Sequence, residues 1–233
     1  MTAIFPQINP SPFCIKLMTF FKVFNVEHSV IKDTKQVRKS PKNKLPFITT
    51  KNRSYGDSRL IVEMYKEQFN LESTLSGKEK ATSVACRRML EEHIYFYSCV
   101  LWIRDKAKFN LITAPDMPWF IRPIFLWYLH RAVTKQLYSQ GIGRLNTEEQ
   151  ELLIEQDFLS LETILNESTT DYFFNKTSPG HLDIVAFSFL YSYYLSKDKL
   201  LGKCPSLIKL IIILLKDYYP SEYDFVVTNK KWK

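Results

Sequence analysis

Four short segments carry the side chains best suited to chemistry. The first is Ser11-Pro12-Phe13-Cys14, at the start of what reads as the first helix. A helix N-terminus stabilises an anion through its free N–H groups and its dipole. A serine hydroxyl there can donate to a bound thiolate and lower that thiol's pKa. It can equally be an ordinary N-cap. Ser-x-x-Cys in place of Cys-x-x-Cys excludes a dithiol redox cycle, and Cys14, one turn in, reads as core. The second segment is Leu45-Pro46. Were this bond cis, the Leu45 backbone would face a ligand, but cis forms make up only about 5–6% of X–Pro bonds, so the pair alone reads as trans. The third is Asp57-Ser58, where a carboxylate, a hydroxyl and helix N–H groups can hold the ammonium and carboxylate of an amino acid, or can simply cap a helix. The fourth is His93, beside Glu91 and Glu92 and near Tyr95 and Tyr97, either an acid–base group or a surface or interface histidine.

The elements that must position these residues follow from periodicity. Thr2 to Phe5 is a strand candidate that runs into a Pro-rich turn. Phe13, Leu17, Phe20, Phe21 and Phe24 then repeat with helical period, with Pro12 suited to the first helical position and Ser11 to the cap. Residues 27–32 read as a second strand and Leu45 to Thr50 as a third, with Arg53 to Tyr55 pairing back. A helix burying Leu60, Ile61, Met64, Tyr65 and Phe69 follows. The order β-α-β then β-β-α predicts a thioredoxin-like domain over 1–72. After a linker-like stretch, Glu72 to Gly77, strand signals nearly vanish. Helices are expected at 78–109 and 119–139, from Asn146 to Leu165, near Gly180 and from Pro205, which makes 78–233 an all-helical domain. The fold class is α+β, a mixed four-stranded sheet with helices plus an all-α domain.

Composition narrows the function classes. Six glycines and no Gly-rich phosphate loop argue against nucleotide chemistry. The four cysteines and four histidines show no metal-ligand spacing, so no metal is expected. No signal peptide is recognised, and the run Leu210 to Leu215 is far shorter than the ~20 residues of a membrane span. A cytoplasmic protein, membrane-associated at most, is expected. The net charge is +8, concentrated between Lys32 and Arg53. That segment reads as a solvated loop, an anionic small-molecule site or a peripheral membrane contact. No nucleic-acid-binding motif is present.

Taken together and in order, Ser-x-x-Cys, Lys44-Leu45-Pro46-Phe47-Ile48 and Gly56-Asp57-Ser58-Arg59-Leu60-Ile61 resemble the glutathione S-transferase superfamily. Met89 to Tyr95, Gln136 to Arg144 and Asp217 to Pro220 are similar to its failed axon connections/cadmium-responsive, metaxin-like branch. The resemblance spans nearly the whole chain. It implies a catalytic Ser11 that activates glutathione. It implies a cis Leu45–Pro46 whose Leu45 backbone pairs with the cysteinyl part, Asp57 and Ser58 at the γ-glutamyl group, and Lys44 at the glycyl carboxylate. Phe13, His93 and Tyr97 are the candidates for a second-substrate pocket. The implied activity is conjugation of glutathione, as co-substrate, to a hydrophobic electrophile, or reduction with it, as in detoxification. A homodimer is common in the superfamily. The alternative is a non-catalytic adaptor of the metaxin-like type, contacting a membrane or partner through the 32–53 segment and the Trp232 tail. One departure is Gly180 at a cap where the branch usually carries Thr or Ser, ahead of Asp183.

Overall fold

The computed structural model describes residues 8–31, 34–105, 117–175 and 177–228. Helix α1 (Pro12–Val23) begins where Pro12 presets the helical φ and Ser11 lies extended before it. It is buried on two sides. Leu17, Phe20 and Phe21 pack with Ile61 and Val62 in a small N-terminal core, while Ile15 joins the large helical core. Strands β1 (Phe47–Thr49) and β2 (Ser54–Gly56) pair antiparallel, with Ile48 opposite Tyr55. Helix α2 (Ser58–Tyr65) packs on both strands and on α1.

The expected four-stranded sheet is represented among the described residues by this antiparallel pair. The first strand candidate, residues 2–5, and residue 32 of the second lie outside the described residues. Residues 27–31 carry no ladder bonds among the described residues.

The helical half opens at α3 (Gly77–Met89), capped by a reciprocal Ser76–Glu79 box. It runs without a break through a π-helical turn, Leu90–Ile94, into α4 (Tyr95–Arg104). The single long helix expected over 78–109 is therefore interrupted by a widened turn, and residues 106–109 lie outside the described ones. π turns inside helices are frequent at functional sites, and this one carries Glu91 and His93. Helix α5 (Arg122–Gln140) ends at Gly141, whose φ of 115° suits glycine. Helix α6 (Thr147–Asn166) starts with an Asn146–Glu149 capping box. Then come α7 (His181–Leu195), α8 (Pro205–Tyr218) and the short α9 (Pro220–Tyr223).

Helix α7 is the axis of the core, since twelve of its 15 residues are buried. The apolar run in α8 buries Leu210, Ile211, Leu214 and Leu215 against it. No helix among the described residues is long and apolar enough to cross a membrane. The Gly180 departure has a local reason. Asp183 reaches back to the Gly180 N–H at 2.8 Å and also accepts from the Phe173 N–H at 2.9 Å. A Cβ on Gly180 would lie 2.8 Å from the Asn175 side chain, so glycine leaves room for the loop that Asp183 ties down. We expect Asp183→Ala to cost about 2–4 kcal/mol, because one buried and one partly buried N–H group lose their acceptor. Urea unfolding measures this, and a loss under about 0.5 kcal/mol would contradict the role.

Candidate functional site

Ser11 stands directly before α1, its own N–H held by Asn9 Oδ1 at 2.9 Å. Its hydroxyl makes no capping bond to α1. It reaches instead to the Cys14 thiol one turn in. Burial pushes that thiol's pKa up, and the Ser11 bond offsets this only in part. A thiol so placed is a weak nucleophile near neutrality, which leaves the serine hydroxyl as the group suited to a bound thiolate.

The loop before β1 is set by Ser40. It is buried, and its Oγ donates to the Lys44 carbonyl at 2.7 Å. Lys44 and Leu45 are exposed, and the Leu45–Pro46 bond is cis. Asp57 has a left-handed φ of 78° and caps α2, its Oδ1 accepting from the Arg59 N–H at 2.9 Å and more weakly from the Leu60 N–H at 3.4 Å. Ser58 is buried beside it. Because α1 packs on α2, and α2 on both strands, these residues lie on adjoining elements.

The other three candidates are engaged elsewhere. Phe13 packs edge-on against Tyr95 and Phe189, with ring centroids 4.9 and 5.1 Å away. Tyr97 is buried and stacked on Tyr193. His93 Nδ1 lies 2.5 Å from Asp157 Oδ2 on α6. That hydrogen bond raises the His93 pKa, against a smaller opposing effect of burial. A cavity of about 240 Å³ is lined by Phe24, the linker and the start of α7, and by none of the candidate residues.

What the residue pattern did not reveal is a buried charge cluster behind the site. Lys16 on α1, 1% exposed, donates to Glu91 Oε1 at 2.6 Å. Arg59 on α2 lies 2.9 Å from Glu91 Oε2 and 2.7 Å from Glu92, and Arg88 lies 3.1 Å from Glu91. Burial lowers the Lys16 pKa, opposed by the Glu91 charge and hydrogen bond. The signal available was a lysine set in the apolar stripe Phe13, Leu17, Phe20. Its partner, 75 residues away, gave none.

Residues 12–107 match the family of glutathione S-transferase N-terminal domains. The chain is 27% identical to Failed axon connections of Drosophila melanogaster over 98% of its own length and 58% of that protein's. Residues 12–107 are thus similar to glutathione S-transferase N-terminal domains, and the chain along its length is similar to Failed axon connections. The chain thus spans about three-fifths of that relative's length. It is also 31% identical, over 37% of its length and 38% of the relative's, to the isoprene-epoxide–glutathione S-transferase of Rhodococcus sp.. The transferase fold itself is shared with the beta-etherase LigF of Sphingobium sp., at a TM-score of 0.63 and 15% identity, covering 94% of this chain and 97% of that one. A zeta-class bacterial maleyl pyruvate isomerase matches at a TM-score of 0.57 and 13% identity, covering 91% and 92%.

Two predictions follow from these side chains. Glu91→Gln removes the carboxylate that neutralises buried Lys16 and is expected to cost about 3–5 kcal/mol. Lys16→Met with Glu91→Leu is expected to recover most of that loss in equilibrium unfolding, and a double variant no better than Glu91→Gln would contradict the pairing. For His93, the folded pKa is raised. Its contribution is therefore fully present below the unfolded histidine value and is lost as pH rises through the folded one. Asp157→Asn should destabilise by on the order of 1 kcal/mol near pH 5.5 and much less near pH 9. Equal losses at both pH values would contradict this.

Proposed function

We propose that this chain binds glutathione at the N-termini of α1 and α2 and transfers its thiol to a hydrophobic electrophile. The observation that carries the reading is Ser11. It occupies the start of α1 with a hydroxyl that is not used for capping, in a segment that matches glutathione S-transferase N-terminal domains. The α1 N-terminus and the Ser11 O–H stabilise the thiolate of bound glutathione and so lower its pKa. The backbone of Leu45, ahead of Pro46, pairs with the cysteinyl peptide groups. The Asp57 carboxylate, which caps α2 through Oδ1, takes the γ-glutamyl ammonium at its other oxygen, and Ser58 takes the γ-glutamyl carboxylate. Exposed Lys44 meets the glycyl carboxylate. The thiolate then attacks an electrophilic carbon. A sulfur–carbon bond forms, and the leaving group departs with the electron pair or an epoxide ring opens. The division into a glutathione-binding domain over 1–72 and a helical domain over 78–233, a cytoplasmic location and a homodimer belong to this proposal.

A second reading is a binding protein that keeps the fold without turnover. Two observations favour it: the similarity to Failed axon connections runs along almost the whole chain, and Phe13, His93 and Tyr97 are each taken up by contacts with side chains of the helical half. In this reading the basic 32–53 segment contacts a membrane or partner. Of it, Thr34–Lys39 forms a 3-10 helix and residues 32–33 lie outside the described ones, as does Trp232.

Calorimetric titration with reduced glutathione, followed by conjugation of a generic aryl halide, separates the two. We expect wild type to bind in the millimolar range or tighter, and Asp57→Ala to weaken binding about tenfold by removing a charge-assisted contact. Ser11→Ala is expected to slow conjugation by on the order of 10²-fold through loss of the donor to the thiolate. No binding at millimolar glutathione would sink the site. Binding without turnover would select the second reading, and unchanged turnover in Ser11→Ala would remove the role given to Ser11.

A further inference from the structure

Helix α5 differs from the other long helices of this fold. Of its 19 residues only Leu137 is buried, although α5 packs against α4. Large apolar side chains stand in water along its first turns and the turn before it. Trp119 is 84% exposed, Ile124 69% and Trp127 65%, with Phe120, Ile121 and Tyr128 also exposed. Phe120, Ile124, Trp127, Tyr128, Arg131 and Lys135 fall at i, i+4, i+7, i+8, i+11 and i+15, which is one face of a helix. That face is apolar at its N-terminal end and cationic further along. The Arg131 guanidinium lies 5.9 Å from the Trp127 ring centroid and links the two parts.

Charge singles out the occupant. From Met117 to Thr147 the sequence holds Arg122, Arg131, Lys135 and Arg144 and not one carboxylate. A contiguous exposed patch of this kind marks an interaction surface. A second copy docked face to face on this stripe would bring the Arg131 and Lys135 cations of both copies into one interface with no acid in the segment to pair them. Nucleic acid would suit the cations and aromatic rings, but Ile121 and Ile124 offer it no stacking surface. Trp, Phe, Tyr and Ile beside Arg and Lys are the side chains that settle at a lipid headgroup boundary, the rings at headgroup depth and the cations on anionic phosphates.

We propose that the Trp119–Lys135 face is a docking surface for an anionic phospholipid bilayer. The first turns of α5 and the turn before them enter the headgroup layer, and Arg131 and Lys135 lie against lipid phosphate. Binding is peripheral and sensitive to salt. It is independent of Ser11, so it holds whether or not the glutathione site is active.

The test is flotation of the full chain with vesicles of phosphatidylcholine alone or with about a third phosphatidylserine. Wild type is expected to float with the anionic vesicles only and to be released by salt near 0.5 M, where the screening length falls to a few ångströms. Trp119→Ser/Phe120→Ser/Trp127→Ser is expected to abolish flotation. Arg131→Glu/Lys135→Glu should weaken it by on the order of tenfold or more. These side chains are exposed, so the thermal midpoint and circular dichroism of both variants should match wild type, and each variant tests the proposal separately. Failure of wild type to bind anionic vesicles overturns it, as does undiminished binding by the triple variant, which would point to another basic surface. A concentration-dependent dimer in sedimentation that the triple variant dissolves, without vesicle binding, overturns it in favour of a second copy. A single-stranded oligonucleotide bound through Trp127 in place of vesicles overturns it in favour of nucleic acid.

Discussion

The ion pair between Lys16 and Glu91 is the constraint around which the two halves are joined. A lysine ammonium inside a protein costs several kcal/mol in lost hydration unless a carboxylate meets it at close range. Lys16 lies on α1, which packs against both α2 and α7. It therefore needs an acid delivered from the helical half. The π turn delivers it, because Glu91 sits in the widened segment between α3 and α4. Arg59 and Arg88 take up the other carboxylate oxygen, and Arg59 continues to Glu92. Three cations share two carboxylates, so the cluster is left net positive. The α2 helix that Asp57 caps is thereby tied to the helical half two residues after the cap.

A second buried cluster secures the connection between the halves. Glu72, in the segment of linker composition, has a buried side chain and a left-handed φ of 63°. Its carboxylate accepts from Ser83 at 3.0 Å and lies 3.0 Å from Arg87. Arg87 also meets His181, at the start of α7, at 2.5 Å. Burial, and next the Arg87 charge, push the His181 pKa well down, so the ring is neutral and accepts from the guanidinium. Leu71 and Leu75 are buried on either side. The linker is thus a structural part of the interface between the halves, and the cavity beside it belongs to this junction.

The readable parts of this fold were those governed by local rules. Pro12 after Ser11 and the reach-back of Asp183 to Gly180 each follow from one turn of chain. The order of elements came from helical period and from the position of Pro46. Illegible parts depended on residues far apart. Nothing in the local pattern around Glu91 distinguishes a buried acid from an exposed one until Lys16 and Arg59 are folded against it. The π turn has no compositional mark, so the helix read as uniform. Composition suggested that Glu72 was a linker residue and gave no hint of its burial. Tyr97 and Phe13 carried the right chemistry for a pocket, but core aromatics have the same periodicity. The exposed apolar face of α5 was equally hidden, since its residues alternate as a buried helix would and only the fold shows which side is covered.

The most direct measurement of the central claim is a crystal structure of the full chain soaked with reduced glutathione. The claim predicts the tripeptide along the α1–α2 edge, with its sulfur within hydrogen-bond distance of Ser11 Oγ, its cysteinyl backbone paired with Leu45 and its γ-glutamyl end at Asp57 and Ser58. Glutathione bound with its sulfur away from Ser11, or an edge that stays empty at saturating glutathione, would contradict it.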